Sequence, residues 1–173
     1  MENSACLNES VIGWLKNAID SKNFFIRKKF LDENGWIAIP VESACHFDDE
    51  DAKRISQITN GRNLDRLNAV SLEDLAVPRC IEIGANVHEV LKFSLDFGHF
   101  NYALFPSDHS FLLVCTTDDY FSVAGKPAVV EHVVGNSVDD ARKEFSHYAN
   151  DENWPIKTKL FLNEVSDWYL GGE

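Results

Sequence analysis

Apolar residues recur along the first segment at Val11, Trp14, Leu15, Ala18 and Ile19, the i, i+3, i+4, i+7, i+8 spacing of one helix face. That spacing predicts an amphipathic N-terminal helix. Residues 24–31 mix Phe24, Phe25, Ile26, Phe30 and Leu31 with the basic trio Arg27-Lys28-Lys29, then lead through Asn34-Gly35 into an apolar run at 36–40. Asn-Gly suits a turn with positive φ, so a hairpin and a continued helix over 24–31 both fit. The tetrad Asp48-Asp49-Glu50-Asp51 precedes Ala52, Ile55 and Ile58. Acids in a first turn complement the positive end of a helix, and Asn60-Gly61 would stop it. Ser71-Leu72-Glu73-Asp74 has the S-x-x-D form of a capping box and predicts a further short helix.

The period changes after residue 79. Runs at 80–83, 89–97, 101–105, 111–115 and 120–123 are rich in β-branched and aromatic residues, and turn-forming residues separate them: Gly84, Gly98-His99, Pro106-Ser107-Asp108 and Thr117-Asp118-Asp119. Connections this short favour antiparallel neighbours, because a parallel crossover needs a dozen or more residues. The expected sheet is an antiparallel meander of four to five strands. Pro127, Val130, Val133, Val134 and Gly135 then outline a helix bounded by Pro at its start and Gly beyond its end. Ser137-Val138-Asp139-Asp140 is a second capping box, backed by the stripe Val138, Ala141, Phe145, Tyr148 and Ala149. Phe161, Val165, Trp168 and Tyr169 predict a last helix from about residue 157 to 170. The chain therefore reads as one α+β domain: 1–79 mainly helical with an optional hairpin, 80–124 antiparallel strands, and 126–170 two to three C-terminal helices.

Composition fits this reading. The 173 residues are 45% hydrophobic and 25% charged, which suits one globular domain with a real core. The net charge is −12, arguing against phosphate backbones and anionic membranes, so neither nucleic acid nor membrane is an expected partner. The opening residues, Met1-Glu2-Asn3-Ser4-Ala5-Cys6, lack the basic and apolar regions of a secretory signal, so the chain reads as cytoplasmic. Cys6, Cys45, Cys80 and Cys115 lie more than thirty residues apart without C-x-x-C spacing and read as buried reduced thiols.

No phosphate-cradling glycine loop, G-x-S-x-G elbow, H-E-x-x-H or zinc-deaminase pattern occurs, and no cofactor is expected. A nucleophilic thiol could be built only from Cys115 or Cys45 with a histidine such as His46, His99 or His109, and a thiolate needs that base within hydrogen-bond reach. Trp14, Trp168, Phe145 and Tyr148 lie on apolar helix faces and belong to the core. Trp154 sits in the polar loop 150–155, where it either tucks back or meets a partner.

Charge is distributed unevenly. Residues 1–79 hold 10 bases and 13 acids, residues 80–173 hold 6 and 15, and from 80 to 125 the sole base is Lys92. A field of one sign steers oppositely charged partners. The acidic excess, the single domain without catalytic motif, and the run from Asp118 through Pro127 into the helices up to Phe145 resemble the small acidic immunity proteins of bacterial polymorphic and contact-dependent toxin systems. That resemblance implies a non-enzymatic inhibitor that docks on a basic toxin domain, often a nuclease. Asp118, Asp119, Tyr120, Asp139, Asp140 and Trp154 are the candidate contacts, since they combine acids with aromatic anchors. A small thiol-dependent enzyme using Cys115 or Cys45, or an acidic regulatory or structural subunit, are the alternatives.

Overall fold

A computed structural model describes residues 9–43, 46–74 and 79–171. Seven helices and six strands follow one another among these residues: α1 (Glu9–Ala18), α2 (Lys28–Asn34), β1 (Ile37–Glu42), α3 (Asp49–Asn60), β2 (Arg66–Ser71), β3 (Cys80–Gly84), α4 (Val87–Phe97), β4 (Tyr102–Pro106), β5 (Phe111–Cys115), β6 (Tyr120–Gly125), α5 (Pro127–Val134), α6 (Val138–Ala149) and α7 (Ile156–Leu170). The chain is α+β, with one wholly antiparallel sheet in the order β1-β6-β5-β4-β2-β3. The meander covers β4 to β6. The first strand closes on β6, from Ile37 opposite Gly125 to Glu42 opposite Tyr120.

Helices cover both faces of the sheet, so alternate residues of one strand enter different cores. Phe111, Leu113 and Cys115 pack with Ile55 of α3, Phe93 of α4 and Val130 of α5, whereas Leu112 and Val114 pack with Leu15 of α1 and Phe30 of α2. This double burial explains why β4 and β5 read as continuous apolar runs. A third cluster, Tyr120, Phe145, Leu162 and Val165 with Phe25, seats α6 and α7 beside the β1 edge. Trp168 Nε1 donates to the Ile26 carbonyl at 3.0 Å and the Ile26 amide donates to the Tyr169 hydroxyl at 2.8 Å, tying the end of α7 to the segment before α2.

Four expectations need correction. Residues 89–97 form α4, not a strand: Asn86 caps it by accepting the Glu89 amide, and Val90, Phe93 and Ser94 turn inward while Leu95 is left 79% exposed. Arg66–Ser71 is a strand within the stretch 1–79 expected to be mainly helical, and together with β1 it more than replaces the strand lost at 89–97, giving six strands in place of four to five. After Ser71 the residues up to 74 are not helical, and 75–78 fall outside the described residues. Residues 24–27 precede α2, with Ile26 bridged antiparallel to Ile19, and the helix begins at Lys28; its C-terminal Gly35 takes φ 57, so Asn34-Gly35 ends a helix instead of turning a hairpin. Lys126 Nζ donates to the Asn34 carbonyl at 2.7 Å and supplies the cation that a helix C-terminus favours. Cys80 is bonded in a disulfide with a partner outside the described residues, whereas Cys115 is a free buried thiol. The fourfold reduced-thiol expectation fails at Cys80.

Candidate functional site

The β5–β6 hairpin carries the acids singled out by the sequence, and its tip is held from several sides. Thr116 Oγ1 donates to the Tyr120 carbonyl at 2.7 Å, and the Thr117 amide donates to Asn101 Oδ1 at 3.1 Å. Asp119 takes φ 57, a left-handed conformation that Asp tolerates better than most residues. Its carbonyl then accepts both the Ser43 amide at 3.1 Å and the Tyr148 hydroxyl at 2.9 Å. One backbone oxygen thus joins the end of β1, the hairpin tip and α6.

These contacts create a groove between β1 and α6. A cleft of about 190 Å³ is lined by Pro40, Val41, Glu42, Val134, Ala141, Glu144 and Phe145, and a wider one of about 660 Å³ by Glu42, Lys143, Glu144, His147, Tyr148 and Asp151. Glu42 and Glu144 belong to both. Burial, followed by the charges of Asp119 and Glu42, pushes the Tyr148 phenol up to about 12, which places both carboxylates within electrostatic reach of its ring. Partial burial and the neighbouring Asp119 also hold the Asp118 carboxyl above the usual carboxylate range. Among the described residues no salt bridge engages Glu42, Asp118, Asp119, Glu144 or Asp151. Lys143 stands on the rim and pairs with Asp140 at 3.5 Å. Among the described residues no base of the first half lines this groove, and the two ion pairs that first-half bases make with second-half acids, Arg62 to Asp108 at 3.5 Å and Arg66 to Glu82 at 2.9 Å, involve none of its residues.

The expected contacts divide into three groups. Asp119 borders the groove through its contact with Tyr148, and Asp118 sits next to it on the hairpin tip without lining either cleft. Trp154 tucks back against Tyr148: its Nε1 donates to the Tyr148 carbonyl at 2.9 Å and its ring meets the Tyr148 ring edge-on at 5.3 Å. Asp139 and Asp140 lie at the other end of α6, about 12 Å away at 1.5 Å per residue. There Ser137 caps the helix by accepting the Asp140 amide at 3.2 Å and donates its hydroxyl to the Asp140 carboxylate at 2.7 Å, and this bond with the nearby Lys143 lowers the Asp140 pKa. Tyr120 is corrected outright, since it is 2% exposed and packs against Phe145 and Phe161 in the core. Glu42, Glu144, Asp151 and Tyr148 were missed as a site. In the sequence Tyr148 reads as part of a helix stripe, and the pairing of β1 with β6 is what brings Glu42 to α6.

The second acidic run proves structural. Asp48 accepts the Asp51 amide at 2.8 Å, the Asp51 side chain returns a bond to the Asp48 amide, and Asp51 pairs with Arg54 at 2.7 Å. Cys115 offers no nucleophile: complete burial and then the Asp51 charge raise its thiol well above the ordinary value, the opposite of what a thiolate requires. Cys45 lies outside the described residues. Among the described residues no cluster of three or more His, Cys, Asp or Glu side chains could hold a metal ion, and no helix is long and apolar enough to cross a membrane. No family model, curated protein or solved structure matches this chain.

Proposed function

We propose that this chain is a non-enzymatic acidic binding protein, of the immunity type, which neutralises a basic protein toxin by docking the β1–α6 groove on it. The observation that carries this reading is the set Glu42, Asp119, Glu144 and Asp151 gathered around Tyr148 without a salt bridge among the described residues. Carboxylates that outnumber the one lysine of the groove, Lys143, and are held by backbone and tyrosine hydrogen bonds provide a preorganised negative field, which raises association rates with basic surfaces by roughly 10–10³. Asp118 widens that field at the hairpin tip; Asp139 and Asp140 extend it along α6. Trp154 supports the groove through Tyr148 in place of contacting the partner.

The Cys80 disulfide weighs against the cytoplasmic placement expected from the sequence, because such bonds form and persist in oxidising compartments. The test is capture from the native host's lysate on immobilised wild type and on Glu42→Gln/Asp119→Asn/Glu144→Gln side by side. Wild type should retain a strongly basic protein that the triple variant releases at the same salt. Equal retention on both, or recovery of small metabolites alone, overturns the reading.

A further inference from the structure

A second cleft, of about 210 Å³, opens where α2, the start of β1, α6 and the end of α7 meet, and it reverses the charge logic of the molecule. Lys28, Asp32, Trp36, Arg142, Trp168 and Tyr169 line it, together with the apolar side chains of Leu31, Ile37 and Ala38. Arg142 makes no hydrogen bond or salt bridge among the described residues, and its Nε is buried without a partner. Lys28 likewise lacks a carboxylate partner; its Nζ stands 5.4 Å from the centroid of the Trp168 ring. Among the described residues exposed lysines without a salt bridge also occur elsewhere on the chain, so the buried, partnerless Nε of Arg142 is the feature that sets this cleft apart.

From this arrangement we propose that the cleft binds a small monocarboxylate with an aromatic or apolar body, independently of the docking groove. The planar guanidinium fork of Arg142 matches a carboxylate, and a buried N–H donor without a partner gains most from an acceptor. Trp168 and Tyr169 have their polar atoms committed to Ile26, so their ring surfaces are left as apolar wall. Trp36 packs edge-on against Phe30 at 5.6 Å and is fixed in the same way. Asp32 sets the charge of the ligand: it makes no ion pair with either cation, and a dianionic phosphate would face its repulsion more than a monoanion would. The volume falls below the about 300–1,000 Å³ of drug-sized sites, which suits one ring and one acid group.

The experiment titrates the full chain with phenylacetate, phenyl phosphate and uncharged phenylacetamide, by calorimetry and by tryptophan fluorescence. Phenylacetate should bind saturably at one site, about 10-fold or more tighter than the amide and tighter than the phosphate ester. Arg142→Gln should weaken phenylacetate about 10-fold or more, and Lys28→Met, which alters an exposed side chain and leaves the fold undisturbed, about 3-fold. Absence of saturation up to about 10 mM, equal binding of acid and amide, preference for the phosphate ester, or unchanged affinity in a folded Arg142→Gln or in Lys28→Met overturns the proposal.

Discussion

Replacing Arg54 by methionine tests how the acidic start of α3 is held in a chain that already carries surplus negative charge. Arg54 Nη2 donates to Asp51 Oδ1 at 2.7 Å, its Nε donates to the Val133 carbonyl at 2.8 Å, and Asp51 is 5% exposed. The substitution removes two charge-assisted bonds, strands a buried carboxylate and frees a carbonyl in the last turn of α5. Removing one partner of a buried pair costs about 3–5 kcal/mol, but the Arg54 side chain is 27% exposed and water can replace part of the loss, so about 2–4 kcal/mol is expected. With a urea m-value of about 2 kcal/mol/M, the midpoint should fall by about 1–2 M. Burial already raises the Asp51 pKa, and losing Arg54 raises it further. The deficit should therefore be greatest near neutral pH and shrink as the solution becomes acid enough to protonate Asp51 in the folded state. Urea melts of wild type, Arg54→Met, Asp51→Asn and the double variant give the coupling directly. A deficit under about 1 kcal/mol, or one that does not change with pH, refutes the reasoning.

Gly135 caps α5 at φ 79, and an added Cβ would lie 3.0 Å from Arg54 Nη1, so Gly135→Ala should cost about 1–2 kcal/mol by the same melts. Protein purified without reductant and denatured should titrate two of its four thiols with a thiol reagent, because one disulfide at Cys80 consumes two; four titratable thiols would contradict that bond. In the native state Cys115 should resist iodoacetamide below pH 7, given its burial and raised pKa. His46 is 2% exposed with Nδ1 unpaired, and burial lowers its pKa below the unfolded value. The unfolded chain thus takes up that proton first, so stability should fall as pH drops from about 7 to 5, with a shallower slope in His46→Asn.

Local chemistry made several elements legible. The α1 stripe, the capping residues Asp48 and Ser137, the Pro127 and Gly135 boundaries of α5 and the strands after Asn101 all follow from side chains acting within a few residues. α4 was misread because Phe93, Leu95 and Phe97 alternate with Lys92, Ser94 and Asp96, a strand period, whereas the fold buries Val90, Phe93 and Ser94 and exposes Leu95. β2 is hard to read because Arg66 and Asn68, on the face opposite Leu67 and Ala69, break up a short apolar run. At Ser71 a capping pattern was mistaken for a helix start; its hydroxyl accepts the Glu73 amide at 3.4 Å as a local turn. The groove lay beyond local reading altogether. Glu42 meets Glu144 across about a hundred residues, and the strand order that joins them is set by long-range pairing of β1 with β6.

The docking account is tested most directly by the association rate of the captured basic partner, measured by stopped flow at about 50 and 200 mM salt for wild type and Glu42→Gln/Asp119→Asn/Glu144→Gln. Wild type should lose about 10-fold or more in rate across that range, and the triple variant should start slow and change little. Equal rates for the two proteins at low salt would contradict a steering role for the groove.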